Sequence, residues 1–178
     1  TCHAGGGLPK GVIGPLNSSG NTMTWGSINL MGSDNKSKMT AAYVPSVDRV
    51  AIAYLDRYQA YRLESMVATV DWNAKTLGIG NYHVIESSGN CEYVPTIACI
   101  SDSEAKVVVA YRHSPGLVNN IGTVNPSNNS ITWAGRTTVY SGGGTFNVGT
   151  TWGRFNFPKA GVGKFVMTVS DVSDSTSW

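Results

Sequence analysis

Short runs of mostly hydrophobic residues recur along the chain, and turn-forming residues separate them. Arg49–Tyr54 follows the turn stretch Pro45–Asp48, and Lys106–Tyr111 follows Ser101–Glu104. Runs of this length that are rich in β-branched and aromatic residues predict β-strands. The longest helix candidate, Asp56–Val70, has no continuous apolar face,. We therefore expect an all-β protein with strands at about 39–46, 49–56, 94–101, 106–113, 129–140 and 163–170.

The strands recur with a period of about 54 residues, which is typical of tandem-repeat folds,. Two sets of hydrophobic residues keep this spacing: Ile13, Val67 and Ile121, then Trp25, Ile79 and Trp133. A second pair of strands recurs with small insertions, so the unit has four strands, a to d, and the chain reads cd, abcd, abcd, ab. We interpret residues 1–178 as one domain, with a half-repeat at about 8–35, repeats at about 36–90 and 91–144, and a half-repeat at about 145–178.

This strand order predicts how the sheets close. If strands c and d near the N-terminus share a sheet with strands a and b near the C-terminus, two exposed edges disappear. The expected fold is propeller-like, although three sheets are fewer than the roughly four to eight blades usual for propellers. Two copies sharing one six-bladed ring, as a homo-oligomer, satisfy the same pattern. A β-trefoil or β-prism with pseudo-threefold symmetry is the alternative fold.

One stretch of the repeat carries a family resemblance. Lys106–Arg112, Gly122–Val124 and Ser130–Trp133 together resemble the tandem β-repeats of bacteriophage and marine-microbe tail-fibre or adhesin proteins. The hairpins Ser18–Trp25 and Ser127–Trp133 are similar to the Asp-box hairpins of sialidase propellers, but they lack the aspartate. The resemblance implies a propeller-like surface-recognition protein, extracellular or on a virion surface, and it implies no catalytic residue.

Charge and hydropathy narrow the range of partners. The net charge is +2, and the 13 Lys and Arg residues form no cluster. Nucleic-acid binding depends on grouped basic residues, so nucleic acid is a poor candidate partner. No apolar run is long enough to span a bilayer and no secretion leader is present, so we expect no membrane insertion. The 21 glycines and the Ser-, Thr- and Asn-rich turns are typical of extracellular β proteins.

Cysteines and glycosylation signals leave open questions. Cys99 stands in an apolar strand and is expected to be a buried free thiol, whereas Cys2 and Cys91 lie in Gly- and Asn-rich surroundings that could hold a disulfide,. Three sites fit the N-glycosylation pattern, at Asn17, Asn35 and Asn128,.

Catalytic residues are hard to find. Glycoside hydrolysis uses two carboxylates that face one bond, and four acids are the nearest candidates: Glu64, Glu86, Glu92 and Asp71. We interpret them as solvated charges at strand ends. No Gly-x-Ser-x-Gly motif is present, and the histidines stand in unrelated contexts,. His and Cys do not cluster at zinc-ligand spacing. The chain is therefore expected to have no enzymatic activity, no metal and no cofactor.

Binding residues are easier to propose. Aromatic faces and planar polar groups hold sugars, and both recur at the end of strand b and in the loop after it. The candidates there are Tyr54, Asp56, Arg57 and Tyr58 in one repeat and Tyr111, Arg112 and His113 in the next. Trp72 and Trp152 are further candidates for ligand binding because they do not recur at the repeat spacing. Trp25 and Trp133 do recur and are expected in the core. The alternative is that Tyr54 and Tyr111 only pack between sheets.

These residues predict a non-catalytic module that binds a glycan or a cell-surface receptor, as part of a fibre, adhesin or lectin. A purely structural repeat segment of a fibre or capsid shares every strand-level feature and is the first alternative. A small glycoside hydrolase is the second, and the scarcity of acids disfavours it.

Overall fold

The structure is a computed structural model, and it describes residues 10–15, 19–20, 22–31, 36–56, 59, 61–88, 91–113 and 116–141. Within these ranges the chain forms β-strands and one 3₁₀ turn at Pro45–Val47, so the predicted all-β character is confirmed. The strands are β1 (Lys10–Gly11), β2 (Asn29–Leu30), β3 (Lys36–Val44), β4 (Arg49–Asp56), β5 (Arg62–Asp71), β6 (Thr76–Glu86), β7 (Cys91–Cys99), β8 (Lys106–His113), β9 (Gly116–Asn125), β10 (Ser130–Trp133) and β11 (Thr137–Tyr140).

The predicted strand bounds hold to within a few residues. The first predicted strand extends to residue 46, but β3 ends at Val44 because Pro45 lacks an N–H donor and begins the 3₁₀ turn,. The turn ends at Asp48, whose left-handed backbone (φ 51°) redirects the chain into β4. The predicted strand at 129–140 is split into β10 and β11. The predicted strand at 163–170 lies outside the described residues.

Neighbouring strands pair antiparallel and build two large sheets. The first sheet has the order β3-β4-β5-β6, and the second has the order β7-β8-β9-β10, with β11 also paired to β9. A third, small sheet consists of β1 and β2. Each large sheet is therefore a meander of strands that are consecutive in sequence.

The three hairpins formed by strands c and d have the same register. One pair of facing residues shows this in each hairpin, and the three pairs follow one another at the repeat spacing: Lys10–Leu30, Glu64–Val84 and Val118–Thr138. The spacing from β4 to β8 is slightly larger than the spacing from β5 to β9, because the loop between β4 and β5 is longer than the loop between β8 and β9. Residues spaced by the repeat therefore occupy equivalent places in their sheets.

The sheets pack face to face. Ala51, Ala53 and Leu55 of the first sheet join Val107 and Val109 of the second in one buried core. Full burial of each valine or leucine stabilises the fold by about 1.5 to 3 kcal/mol. The other face of the first sheet has a second core, in which side chains of β4 and β5 pack beside Met31, directly after β2. The layers therefore follow the chain: β1–β2 hairpin, first sheet, second sheet.

Two close contacts between layers are equivalent as well. A Cβ atom at Gly26 would lie 2.4 Å from the Lys75 carbonyl oxygen, and a Cβ at Gly80 would lie 2.7 Å from that of Asn129. The second pair lies one repeat after the first, and Lys75 and Asn129 share a left-handed backbone (φ 56° and 51°). The β1–β2 hairpin therefore meets the first sheet in the way that the first sheet meets the second.

None of the sheets closes on itself within the described ranges. The C-terminal a and b strands predicted at 151–155 and 164–169 lie outside those ranges. End-to-end closure, the shared six-bladed ring and the β-trefoil or β-prism alternative therefore stay predictions. Among the described residues, no helix is long and apolar enough to cross a membrane.

Candidate functional site

The predicted binding residues on β4 and β8 stand at the same end of their sheets. Tyr54 and Asp56 finish β4, and Tyr111, Arg112 and His113 finish β8. A polar cluster lies at this end of each sheet, which we call the b-end. The residues of the loop after β4, Arg57 and Tyr58 among them, lie outside the described residues, apart from Gln59 and Tyr61.

The first cluster is built around a buried carboxylate. The Tyr54 hydroxyl donates to Glu64 Oε2 at 2.9 Å, and Arg62 Nε donates to Glu64 Oε1 at 2.7 Å. A second guanidinium nitrogen of Arg62 also contacts Oε1. Glu64 is only 1% exposed, so these charge-assisted hydrogen bonds offset the cost of burying its charge,. The prediction of a solvated strand-end charge is therefore wrong for Glu64.

Tyr54 is the fully buried part of this cluster. Burial raises its pKa, and the nearby Glu64 carboxylate raises it further. The hydroxyl therefore stays protonated and donates to Glu64. The ring faces the interior, so in this conformation it is an inter-sheet packing residue and offers no open face for stacking.

Lys36 and Tyr82 form the accessible part of the first cluster, although the backbone of Tyr82 is paired with Met66 in the middle of β5. Lys36 Nζ lies 4.7 Å from the ring centroid of Tyr54 and 5.8 Å from that of Tyr82. A cation at these distances interacts favourably with both aromatic faces. Tyr82 is 59% exposed, so its ring combines a cationic neighbour with a surface that a ligand can reach.

Asp56 has a local structural role. It is buried, and its Oδ1 accepts a hydrogen bond from the Gln59 backbone N–H at 3.3 Å. Such Asx-type bonds stabilise the start of a loop. Asp56 therefore holds the loop after β4 and does not face solvent.

The second cluster lies between the two large sheets, at the b-end. Arg136 Nη1 donates to Glu86 Oε2 at 3.0 Å and lies 3.0 Å from His113 Nε2. Ser88 Oγ also lies 2.8 Å from that nitrogen, and its backbone N–H donates to Glu86 Oε1 at 3.1 Å. Arg136 is 44% exposed, so its guanidinium is within reach of a ligand.

The geometry around His113 argues against a catalytic triad. Arginine can only donate, so His113 Nε2 must accept, and Ser88 can donate to the same atom,. The Glu86 carboxylate lies 3.9 Å from that nitrogen as well. In a triad the acid is bonded to the other imidazole nitrogen, which it orients.

Glu86 is ionised more readily than a free glutamate. Burial raises its pKa, but the hydrogen bonds from Ser88 and the charge of Arg136 outweigh burial, so its pKa lies below the ordinary value. The carboxylate is thus paired, and the predicted role as a purely solvated charge does not describe it.

Tyr111 and Arg112 are buried beside the second cluster. Burial, with the Glu86 charge nearby, raises the pKa of Tyr111, so its hydroxyl stays protonated. Tyr111 belongs to the core between the sheets, as the packing alternative for it expects. Of the predicted residues at the end of β8, His113 is the one that reaches the surface cluster.

The cysteines offer no nucleophile within the described ranges. Cys91 is a buried free thiol, and burial raises its pKa to about 12, so it is not a thiolate at neutral pH,. Cys99 is free and half-buried, and its Sγ contacts the Ser101 carbonyl oxygen at 3.0 Å. Cys2 lies outside the described residues. No group of three His, Cys, Asp or Glu side chains in the described part of the chain could hold a metal ion.

The tryptophans separate into core and surface. Trp133 donates from Nε1 to Ser65 Oγ at 2.9 Å and packs against the main core, as expected. Trp25 is 60% exposed, so the core prediction is wrong for it. Trp72 is 48% exposed in the turn after β5, a ten-residue strand, and so lies about 30 Å from the b-end,. Trp152 lies outside the described residues.

Several residues of the clusters were missed from the sequence: Lys36, Arg62, Tyr82, Ser88 and Arg136. Most of the predicted binding residues lie at the end of strand b or in the loop after it. Lys36, Arg62 and Tyr82 lie on strands a, c and d, whereas Ser88 follows β6 and Arg136 lies between β10 and β11. One signal was available, because Tyr82 and Arg136 are separated by one repeat period. A comparison of polar and aromatic residues one repeat period apart would have indicated this pair.

Comparison with known proteins adds no assignment. No protein-family model matches the chain, and no curated protein or solved structure is significantly similar to it. The two polar clusters are therefore the basis for a functional proposal.

Proposed function

We propose that the protein is a non-catalytic binding module that recognises a carbohydrate, free or on a cell-surface receptor, at the b-end of its sheets. The observation that carries this proposal is the pair Tyr82 and Arg136. They occupy equivalent places in consecutive sheets, both are exposed, and each belongs to a polar cluster.

This pair has the chemistry that sugars require. An aromatic ring such as that of Tyr82 covers the C–H face of a pyranose, and a guanidinium such as that of Arg136 donates to two hydroxyls at once. Lys36 and His113 add polar groups to the same end of the sheets. Arg57 and Tyr58, predicted in the loop after β4, belong to the same proposed surface.

The proposed surface belongs to a propeller-like array. The constant hairpin register and the equivalent Gly26–Lys75 and Gly80–Asn129 contacts support sheets that follow one another by one repeated operation. Such an array presents the b-end of every sheet on one face, where several weak sites can bind together. A location outside the cell or on a virion surface fits this role. A purely structural repeat is the competing proposal, and it predicts no ligand.

Multivalent glycan-array binding tests the proposal. Single sites of this kind have dissociation constants of roughly 1 µM to 1 mM, so the protein should be displayed in several copies on a particle. We expect Tyr82→Ala with Arg136→Ala to reduce binding of any hit at least about tenfold, which corresponds to about 1.4 kcal/mol. Tyr43→Ala is the matched control, because Tyr43 is an exposed tyrosine of the same sheet whose hydroxyl donates to Asp48, away from the b-end.

Two results would contradict the proposal. If the multivalent wild-type protein bound no glycan, the structural-repeat role would be favoured. If the double variant bound like the wild type while Tyr43→Ala lost binding, the ligand site would lie at the opposite end of the sheets.

A further inference from the structure

In the part of the chain that the structure describes, the small β1–β2 sheet has an open edge along β1. Strand β1 pairs with β2 on one side, and within the described residues no strand pairs on its other side. The equivalent strands β5 and β9 are each paired on that side with a strand b, namely β4 and β8. Among the described elements, β1 is therefore the strand c that has no strand b beside it.

An apolar groove occupies that place. It has a volume of about 420 Å³, and we call it the edge groove. Its walls include Val12, Gly14 and Trp25 from the β1–β2 hairpin and Met39, Val50 and Ile52 from the first sheet. Edge backbone groups beside an apolar wall favour the addition of a further strand.

The second sheet shows how the equivalent apolar surface is buried when a strand b packs against it. Val107 and Val109 of β8 are the equivalents of Val50 and Ile52 of β4, and both are fully buried in a core with Ala51 and Ala53 of the preceding strand b. Val50 is only half-buried. Ile52, by contrast, is buried beside Met31. Among the described residues, this face of the first sheet is therefore covered only in part.

Trp25, which lines the groove, packs on strand c in the same way as Trp133 does in the second sheet. A Cβ atom at Gly14 would lie 2.7 Å from Trp25 Cε3, and a Cβ at Gly122 would lie 2.8 Å from Trp133 Cε3. Glycine thus lets each indole lie over strand c. Val107 is the residue paired with Gly122. A strand b beside β1 would place a residue next to Gly14 in the same way.

We propose that the edge groove is the docking site for this chain's own segment Lys164–Val169, which adds to β1 as strand b. Its sequence Lys-Phe-Val-Met-Thr-Val has the pattern of Lys106–Tyr111, the strand b of the preceding repeat. In the register of β8 on β9, Val166 faces Ile13 and Val169 faces Lys10. Val166 and Thr168 then point at the first sheet, in the places that Ala51 and Ala53 take toward the second.

Paired cysteines test this register in the full-length protein. Directly opposed residues on neighbouring strands have Cβ atoms about 4.5 to 5.5 Å apart, close enough for a disulfide after a small adjustment. We expect Ile13→Cys with Val166→Cys, and Lys10→Cys with Val169→Cys, to form intrachain disulfides on mild oxidation. The control is Ile13→Cys with Met167→Cys, since a one-residue slip turns the side chain to the opposite face. Peptide mapping by mass spectrometry identifies each disulfide and should show at least about tenfold less of the slipped one.

Each other outcome would overturn the proposal. Disulfides between two chains in the matched register would show that a second copy of the protein fills the groove. That result would refute Lys164–Val169 of the same chain as the occupant. The proposed repeat arrangement, on which the docking rests, would still stand. No disulfide in either matched pair, or equal yields for matched and slipped pairs, would show that this segment does not dock there. Because Lys10 is exposed, its pair remains decisive even if the buried Ile13→Cys variant fails to fold.

Discussion

At the scale of single residues, the b-end is organised by two carboxylates with different surroundings. Glu64 is buried and accepts hydrogen bonds from Tyr54 and Arg62. Glu86 is partly exposed and is held by Ser88 and Arg136. Each carboxylate fixes the side chains around it, and a preorganised surface binds a weak ligand with a smaller entropy cost.

Glu86 should make stability depend on pH. Its pKa is lower in the folded protein than the ordinary 4.5, so the folded state binds its proton less readily than the unfolded state. The stabilisation is present above pH 4.5 and is lost as the pH falls through the lower folded value,. Glu86→Gln should therefore show a shallower loss of stability between about pH 5 and pH 3, measured by urea unfolding.

The matched control for that experiment is Glu104→Gln, which removes an exposed carboxylate that pairs with Lys106 at the other end of the second sheet. A Glu86→Gln variant with the same pH slope as the wild-type protein would show that the Ser88 and Arg136 contacts do not hold the carboxylate in solution.

At the scale of the elements, most of the strands could be predicted because their pattern is local. Short hydrophobic runs bounded by turn residues predicted β4 and β8 to the residue and β3 and β7 to within a few residues. The clusters could not be predicted in the same way. For Tyr54 the sequence left a binding role and inter-sheet packing open, because its burial depends on the layer that packs against it. Glu64 and Arg62 are near neighbours on β5, and their partnership depends on that same burial.

The contact between the two large sheets gives an element-scale prediction. Gly80 lies against the backbone of Asn129, so Gly80→Ala would push β6 away from the turn between β9 and β10. Such overpacking costs typically about 1 to 3 kcal/mol, and we expect a loss of that size in the free energy of unfolding. Gly135→Ala is the control, because a Cβ there meets no atom within 4 Å. Equal stability of the two variants would contradict the described sheet-to-sheet contact.

At the scale of the whole molecule, the repeat spacing predicted which residues occupy equivalent places in consecutive sheets, whereas the composition did not. The same spacing relates Lys10–Leu30 to Glu64–Val84 and to Val118–Thr138, and a sequence comparison can detect it without any structure. The way the layers close stays a prediction, because the strands at 151–155 and 164–169 lie outside the described residues. The binding surface could not be predicted from the sequence either. Tyr82 and Arg136 lie on different sheets, and they form a common surface only when consecutive sheets stack.

An NMR titration of the isotope-labelled protein with the strongest glycan hit would test the proposed binding surface most directly. The account predicts chemical-shift changes concentrated at Tyr82, His113 and Arg136, with little change at Tyr43 and Trp72, which lie at the opposite end of the first sheet. Changes centred on Trp72 or Tyr43, with Tyr82 and Arg136 unaffected, would contradict it.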